Sequence, residues 1–63
     1  MLEITITPTM LTFKNLTDEM ANKLHDAHNL KWSDKGYYYI QGNEKELFKT
    51  LLSLAYTYDI ELS

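Results

Sequence analysis

Residues 2–7 alternate strictly, with Leu2, Ile4 and Ile6 on one side and Glu3, Thr5 and Thr7 on the other, the period-two signature of a half-buried strand. Pro8 and Thr9 break the pattern. Leu11 and Phe13 resume it as far as Lys14, with Thr12 opposite. Residues 2–14 therefore form either a hairpin or one bent strand, because proline suits a turn or a bulge and not a central ladder.

The period then changes. Thr17 has the character of an N-cap, and Asp18 and Glu19 follow it in the first turn, where the helix dipole favours anions. Met20, Ala21, Leu24, Ala27 and His28 recur at helical spacing, while Glu19, Asn22, Lys23 and Asp26 form the wet side. This predicts a helix to about His28, closed by Asn29 in the left-handed region.

Leu30, Lys31 and Trp32 lead into Ser33-Asp34-Lys35-Gly36, a four-residue turn with glycine last, a common hairpin connection. The strand after it puts Tyr38 and Ile40 on one face and Tyr37, Tyr39 and Gln41 on the other. Gly42 and Asn43 end it, and Asn43 with Glu46 three residues on resembles a capping box. A second helix is predicted to about Tyr58, its apolar residues Leu47, Phe48, Leu51, Leu52, Leu54 and Ala55 spread over an arc wide enough to seat it. Asp59 to Leu62 alternates once more as a short final strand. Glu19 with Glu46 and Leu24 with Leu51 give a faint internal echo at an offset of 27 residues.

The element order predicts an α+β, ferredoxin-like βαββαβ domain spanning residues 1–63, with an extra N-terminal strand if residues 2–14 are a hairpin. Right-handed crossovers put both helices on one face of a mainly antiparallel sheet. The expected core is Ile4, Ile6, Leu11, Phe13, Leu30, Trp32, Tyr38, Ile40, Ile60 and Leu62 beneath Met20, Leu24, Leu47, Leu51 and Ala55. The other sheet face is left uncovered, showing Thr5, Thr7, Thr12, Lys14, Lys31, Tyr37, Tyr39, Gln41, Asp59 and Glu61.

Composition narrows what such a domain can do. With 63 residues there is room for one core, and cores below roughly 70–80 residues supply about 3–5 kcal/mol. The chain has no cysteine, which removes disulfides, thiolate zinc sites and iron–sulfur clusters as stabilisers. Six Lys against nine acids leave a net charge of -3, and no Arg is present. That is the wrong sign for general nucleic-acid binding, whose affinity comes largely from neutralising phosphates. Neither a basic leader nor a long apolar run is visible, so a cytoplasmic protein without membrane contact is expected. The lack of Val and the abundance of Lys, Asn, Ile and Tyr fit AT-rich coding, as in a low-GC bacterium or its phage.

Candidate chemistry is sparse. His25 and His28 lie three apart, but a metal site needs three or four ligands and there is no other His; they read as a surface residue and a boundary residue. The carboxylates are spread over turns, helix starts and strand surfaces, with no nucleophile elbow and no glycine-rich loop. No catalytic residue, cofactor or metal is expected.

Lys35-Gly36-Tyr37-Tyr38-Tyr39-Ile40 resembles the octapeptide of the RNA recognition motif family, and Leu11-Thr12-Phe13-Lys14-Asn15-Leu16 is similar to that family's first-strand hexapeptide. By that resemblance, Tyr37 and Tyr39 would stack on the bases of a single strand. In this chain Tyr38 stands where the family has Gly or Ala, Thr12 where it has a stacking aromatic, and Gly42 where it has a final aromatic.

The leading expectation is a non-enzymatic protein-binding module. Tyrosine contributes large contact area at modest entropy cost and keeps a hydroxyl for pairing. Tyr37, Tyr39, Tyr56, Asp34, Asp59 and Glu61 are the expected contact residues, an aromatic and acidic set suited to a host protein with a basic surface. Small acidic cysteine-free chains of this kind are typical of phage and mobile-element inhibitors, including those that block nucleic-acid-binding defence effectors such as CRISPR complexes; the analogy rests on size and composition. Single-stranded nucleic acid ranks second. A homodimer through the sheet face or an edge strand ranks third.

Overall fold

The computed structural model describes residues 2–62. The chain runs β1 (Leu2–Ile6), β2 (Met10–Lys14), α1 (Asp18–His28), β3 (Lys31–Ser33), β4 (Tyr37–Gln41), α2 (Glu44–Thr57) and β5 (Ile60–Leu62). Local chemistry sets each boundary. The Met20 N–H donates to Thr17 Oγ1 at 3.3 Å to start α1, and Asn29 at φ 58 ends it, its N–H reaching the His25 carbonyl. Asn43 starts α2 in the same way, with Oδ1 accepting from the Glu46 N–H at 2.9 Å.

Residues 2–14 are a hairpin. Pro8 and Thr9 form its tip, and Thr7 closes it: its N–H donates to the Met10 carbonyl at 2.9 Å and its Oγ1 accepts from the Met10 N–H at 3.1 Å. The β3–β4 turn depends on Gly36, whose φ of +95° lies where L side chains are strained. Its N–H donates to the Ser33 carbonyl at 2.9 Å.

The five strands lie in the order β3-β4-β2-β1-β5. Without β1, the order is that of a ferredoxin-like βαββαβ unit. β1 enters as the extra strand and does so inside the sheet, antiparallel to β2 and parallel to β5. The fold is α+β, with a mixed, mostly antiparallel sheet.

Both helices cover one sheet face. Ala21 and Leu24 of α1 and Leu47 and Leu54 of α2 share a buried cluster with Leu2, Ile4, Leu11, Phe13, Leu30 and Ile40. No polar side chain is buried among the described residues, so apolar burial without an internal polar network carries the fold. Four expected core residues are exposed instead: Ile6, Trp32, Leu62 and Ala55. Strand alternation places the first three on the helix side correctly, but Trp32 and Leu62 belong to the edge strands and Ile6 ends its strand. Two helices roughly 10 Å wide leave the borders of a five-stranded sheet uncovered. Ala55 lies on the part of the α2 arc that turns away from the sheet.

The internal echo does not superpose. The caps Thr17 and Asn43 are 26 positions apart, so Glu46 occupies the helical position of Met20 and not of Glu19. What the two halves share is a strand, a polar cap and a helix.

Candidate interaction surface

The sheet face opposite the helices is uncovered, and register orders its side chains into rows. Tyr39 lies opposite Lys31 on one side and Thr12 on the other, and Thr12 lies opposite Thr5. On the same face Ser33 lies opposite Tyr37 across β3 and β4, and Glu3 of β1 lies between Lys14 of β2 and Glu61 of β5. Tyr37 and Tyr39 are two apart on β4 and meet edge to face, with ring centroids 6.1 Å apart at 62°, a favoured geometry for aromatic quadrupoles. Each ring holds the other in place, and both are half-buried.

The charges on this face are divided. Lys14 and Lys31 border the tyrosines, whereas Glu3 and Glu61 lie on β1 and β5 toward the far edge. The β4-to-β5 separation is about 14 Å at three strand spacings. Glu3 is fixed by a 2.6 Å hydrogen bond from Asn15 Nδ2, and Asn15 takes the left-handed φ of 59 that lets the chain leave β2 toward α1.

The expected contact residues separate accordingly. Tyr37, Tyr39 and Glu61 share the open face, with Glu61 at its opposite edge. Asp34 is exposed in the β3–β4 turn beside the tyrosine half. Asp59 is exposed between α2 and β5, and its carbonyl accepts from the Leu2 N–H at 2.9 Å. Tyr56 does not join them: it lies on α2, on the helix side of the sheet, and is 96% exposed. Tyr38 points to the helix side as expected and packs edge-on against Trp32, with centroids 4.7 Å apart.

A second aromatic surface lies on that helix side. Phe48, Leu52 and Tyr56 are exposed at four-residue spacing along α2; the amino-acid pattern counts Phe48 and Leu52 in the arc that seats the helix and Tyr56 among the contact residues. The signal for this stripe was present in the width of the arc, since one helix facing one sheet buries only part of such a span. Beside it, Ile6, Pro8, Leu11, Leu47, Phe48 and Leu51 line an apolar groove of about 310 Å³ between α2 and the β1–β2 hairpin.

Among the described residues no three His, Asp or Glu side chains gather where they could share a metal ion. His25 is exposed with Asp26 3.7 Å away, and His28 is half-buried. Among the described residues no helix is long and apolar enough to cross a membrane. Comparison of the chain with protein-family models, curated proteins and solved structures finds no match.

Proposed function

We propose that this is a small non-enzymatic binding protein that captures another protein on its open sheet face and acts as an inhibitor or regulator of it. The observation that carries the reading is the preformed Tyr37–Tyr39 pair on a sheet face that no helix covers. A rigid aromatic pair offers contact area without the ordering cost of free side chains. The division of charge refines the partner. Its surface would place apolar or carboxylate groups against the tyrosines and their lysines, and basic groups against Glu3 and Glu61. A compact chain of net charge -3 fits the blocking of a basic groove, which agrees with the phage-inhibitor analogy drawn from size and composition.

A second reading is favoured by one row alone. Lys31, Tyr39, Thr12 and Thr5 cross four strands without an acid, and a single strand of RNA could stack on Tyr39 and follow it. The rest of the face opposes this, since a phosphate chain passing Tyr37 and Lys14 meets Glu3 and Glu61. A protein partner therefore ranks first.

One experiment separates the two. The full chain and its Tyr37→Ala/Tyr39→Ala variant are used as baits in host lysate, and both are titrated against mixed-sequence single-stranded RNA at low and moderate salt. The proposal expects a protein held by the wild type and lost by the variant, with no RNA binding at low salt. Salt-sensitive RNA binding that the variant loses would install the second reading, and a captured protein indifferent to the substitutions would remove the sheet face as the site.

A further inference from the structure

We infer that the chain forms a twofold-symmetric dimer through the outer side of α2, paired antiparallel with α2 of a second copy. This inference does not depend on the function proposed for the sheet face. The stripe of Phe48, Leu52 and Tyr56 is 60%, 54% and 96% exposed and spans about 12 Å of helix. Ile6 and Pro8 line the groove beside Phe48, so large apolar side chains lie exposed along this side of α2, where a partner surface would gain by covering them.

The occupant follows from the order of residues along the stripe. When two identical helices pair antiparallel about a twofold axis at Leu52, residues equally far before and after Leu52 come level, and the same flank of each helix meets its copy. On one flank lie Lys45, Lys49 and Tyr56, at helical spacing. The tyrosine of each copy therefore meets the lysines of the other, whose stems cover the ring and whose ammonium groups face it. On the other flank lie Phe48 and the exposed Ala55. The large ring of each copy thus sits over the small residue of the other. Leu52 meets its own copy at the axis.

In a parallel twofold pair opposite flanks would meet, setting the lysine flank of each copy against the Phe48 and Ala55 flank of the other. The antiparallel pair is favoured over it because it opposes the two helix dipoles. A core this small gains stability from a second subunit. Because α2 lies on the side of the sheet away from Tyr37 and Tyr39, the dimer presents two open sheet faces outward.

The test is sedimentation equilibrium of the full chain from low micromolar to near-millimolar concentration, with circular dichroism of every variant to confirm folding. The wild type is expected to reach twice the 7.4 kDa mass of the chain, and Leu52→Lys, which puts two ammonium groups together at the axis, to remain monomeric. Phe48→Ala and Ala55→Phe each raise the dissociation constant at least about tenfold. Combined, they return the ring to the same contact from the opposite side and recover most of the loss. A wild type that stays monomeric throughout, including one whose stripe is needed only to hold a different protein, overturns the inference. So does a dimer indifferent to Leu52→Lys. A dimer that Leu52→Lys breaks but the paired substitution fails to restore overturns the antiparallel register.

Discussion

The open sheet face and the outer side of α2 both present aromatic residues to solvent, but they hold them differently. Tyr37 and Tyr39 are half-buried, set on a central strand and braced against each other at 6.1 Å. Tyr56 stands almost free on its helix, and Phe48 and Leu52 are more than half exposed. The sheet face is polar apart from its rings, with threonines and charges in register around them. The helix stripe is apolar along its length. A braced aromatic on a polar surface is stable in the monomer and is prepared for capture, whereas an apolar stripe without a cover gains only when something closes over it.

The largest effect expected tests the division between the two sides of β4. Ile40 is buried and its neighbour Tyr39 faces the open side. Ile40→Ala should cost about 2–5 kcal/mol, against a stability of about 3–5 kcal/mol for a core of this size. Circular dichroism in urea should therefore show a largely unfolded chain. Tyr38→Ala comes next, at roughly 2–3 kcal/mol, since it removes the ring that packs on Trp32 and borders the core. If Tyr37→Ala destabilises as much as Tyr38→Ala, the two sides of the strand have been assigned wrongly.

These faces were legible in the amino-acid sequence because each strand alternates and each helix begins with a polar cap. Leu2 and Ile4, Leu11 and Phe13, and Tyr38 and Ile40 all point to the helices, as alternation requires. Thr17, Asn29, Gly36 and Asn43 mark their boundaries because each satisfies a local hydrogen bond or a left-handed φ that depends on no distant residue. The strand order was not legible. Alternation states which way a side chain points and is silent on which strand lies beside it, so the insertion of β1 between β2 and β5 had no local signal. The exposure of Trp32, Leu62 and Ile6 was hidden for the same reason, since it depends on where the helices stop covering the sheet. The candidate site followed this divide: Tyr37 and Tyr39 share a strand and were placed together correctly, whereas the distance of Glu61 and Asp59 from them and the removal of Tyr56 to the helix side are consequences of topology.

A third, smaller effect concerns the cap that orients α2, and with it the stripe. Asn43→Ala removes the acceptor for the Glu46 N–H and should lower stability by about 1 kcal/mol in a urea titration. Because the first turn of α2 also carries Lys45, the same substitution is expected to weaken the dimer, while Thr17→Ala, at the equivalent position of α1, lowers stability similarly and leaves association intact. On the open face, the double substitution Tyr37→Ala/Tyr39→Ala gives up one edge-to-face contact, about 1 kcal/mol, besides the partial burial of the two rings. Its thermal transition should remain cooperative.

The smallest effect is the most specific to the helix stripe. Leu52 is more than half exposed in the monomer, and Lys is nearly as good a helix former as Leu, so Leu52→Lys should change stability by no more than about 0.5 kcal/mol when measured at low micromolar concentration. At near-millimolar concentration the two chains should part. A folded state that dimerises is stabilised by mass action, so the wild-type melting temperature should rise with protein concentration while that of Leu52→Lys stays constant. Two melting curves at each concentration are enough to see it. A wild-type transition that does not move with concentration would leave the stripe as exposed surface with no role in association, and the contrast with the braced tyrosines of the sheet would then be one of geometry alone.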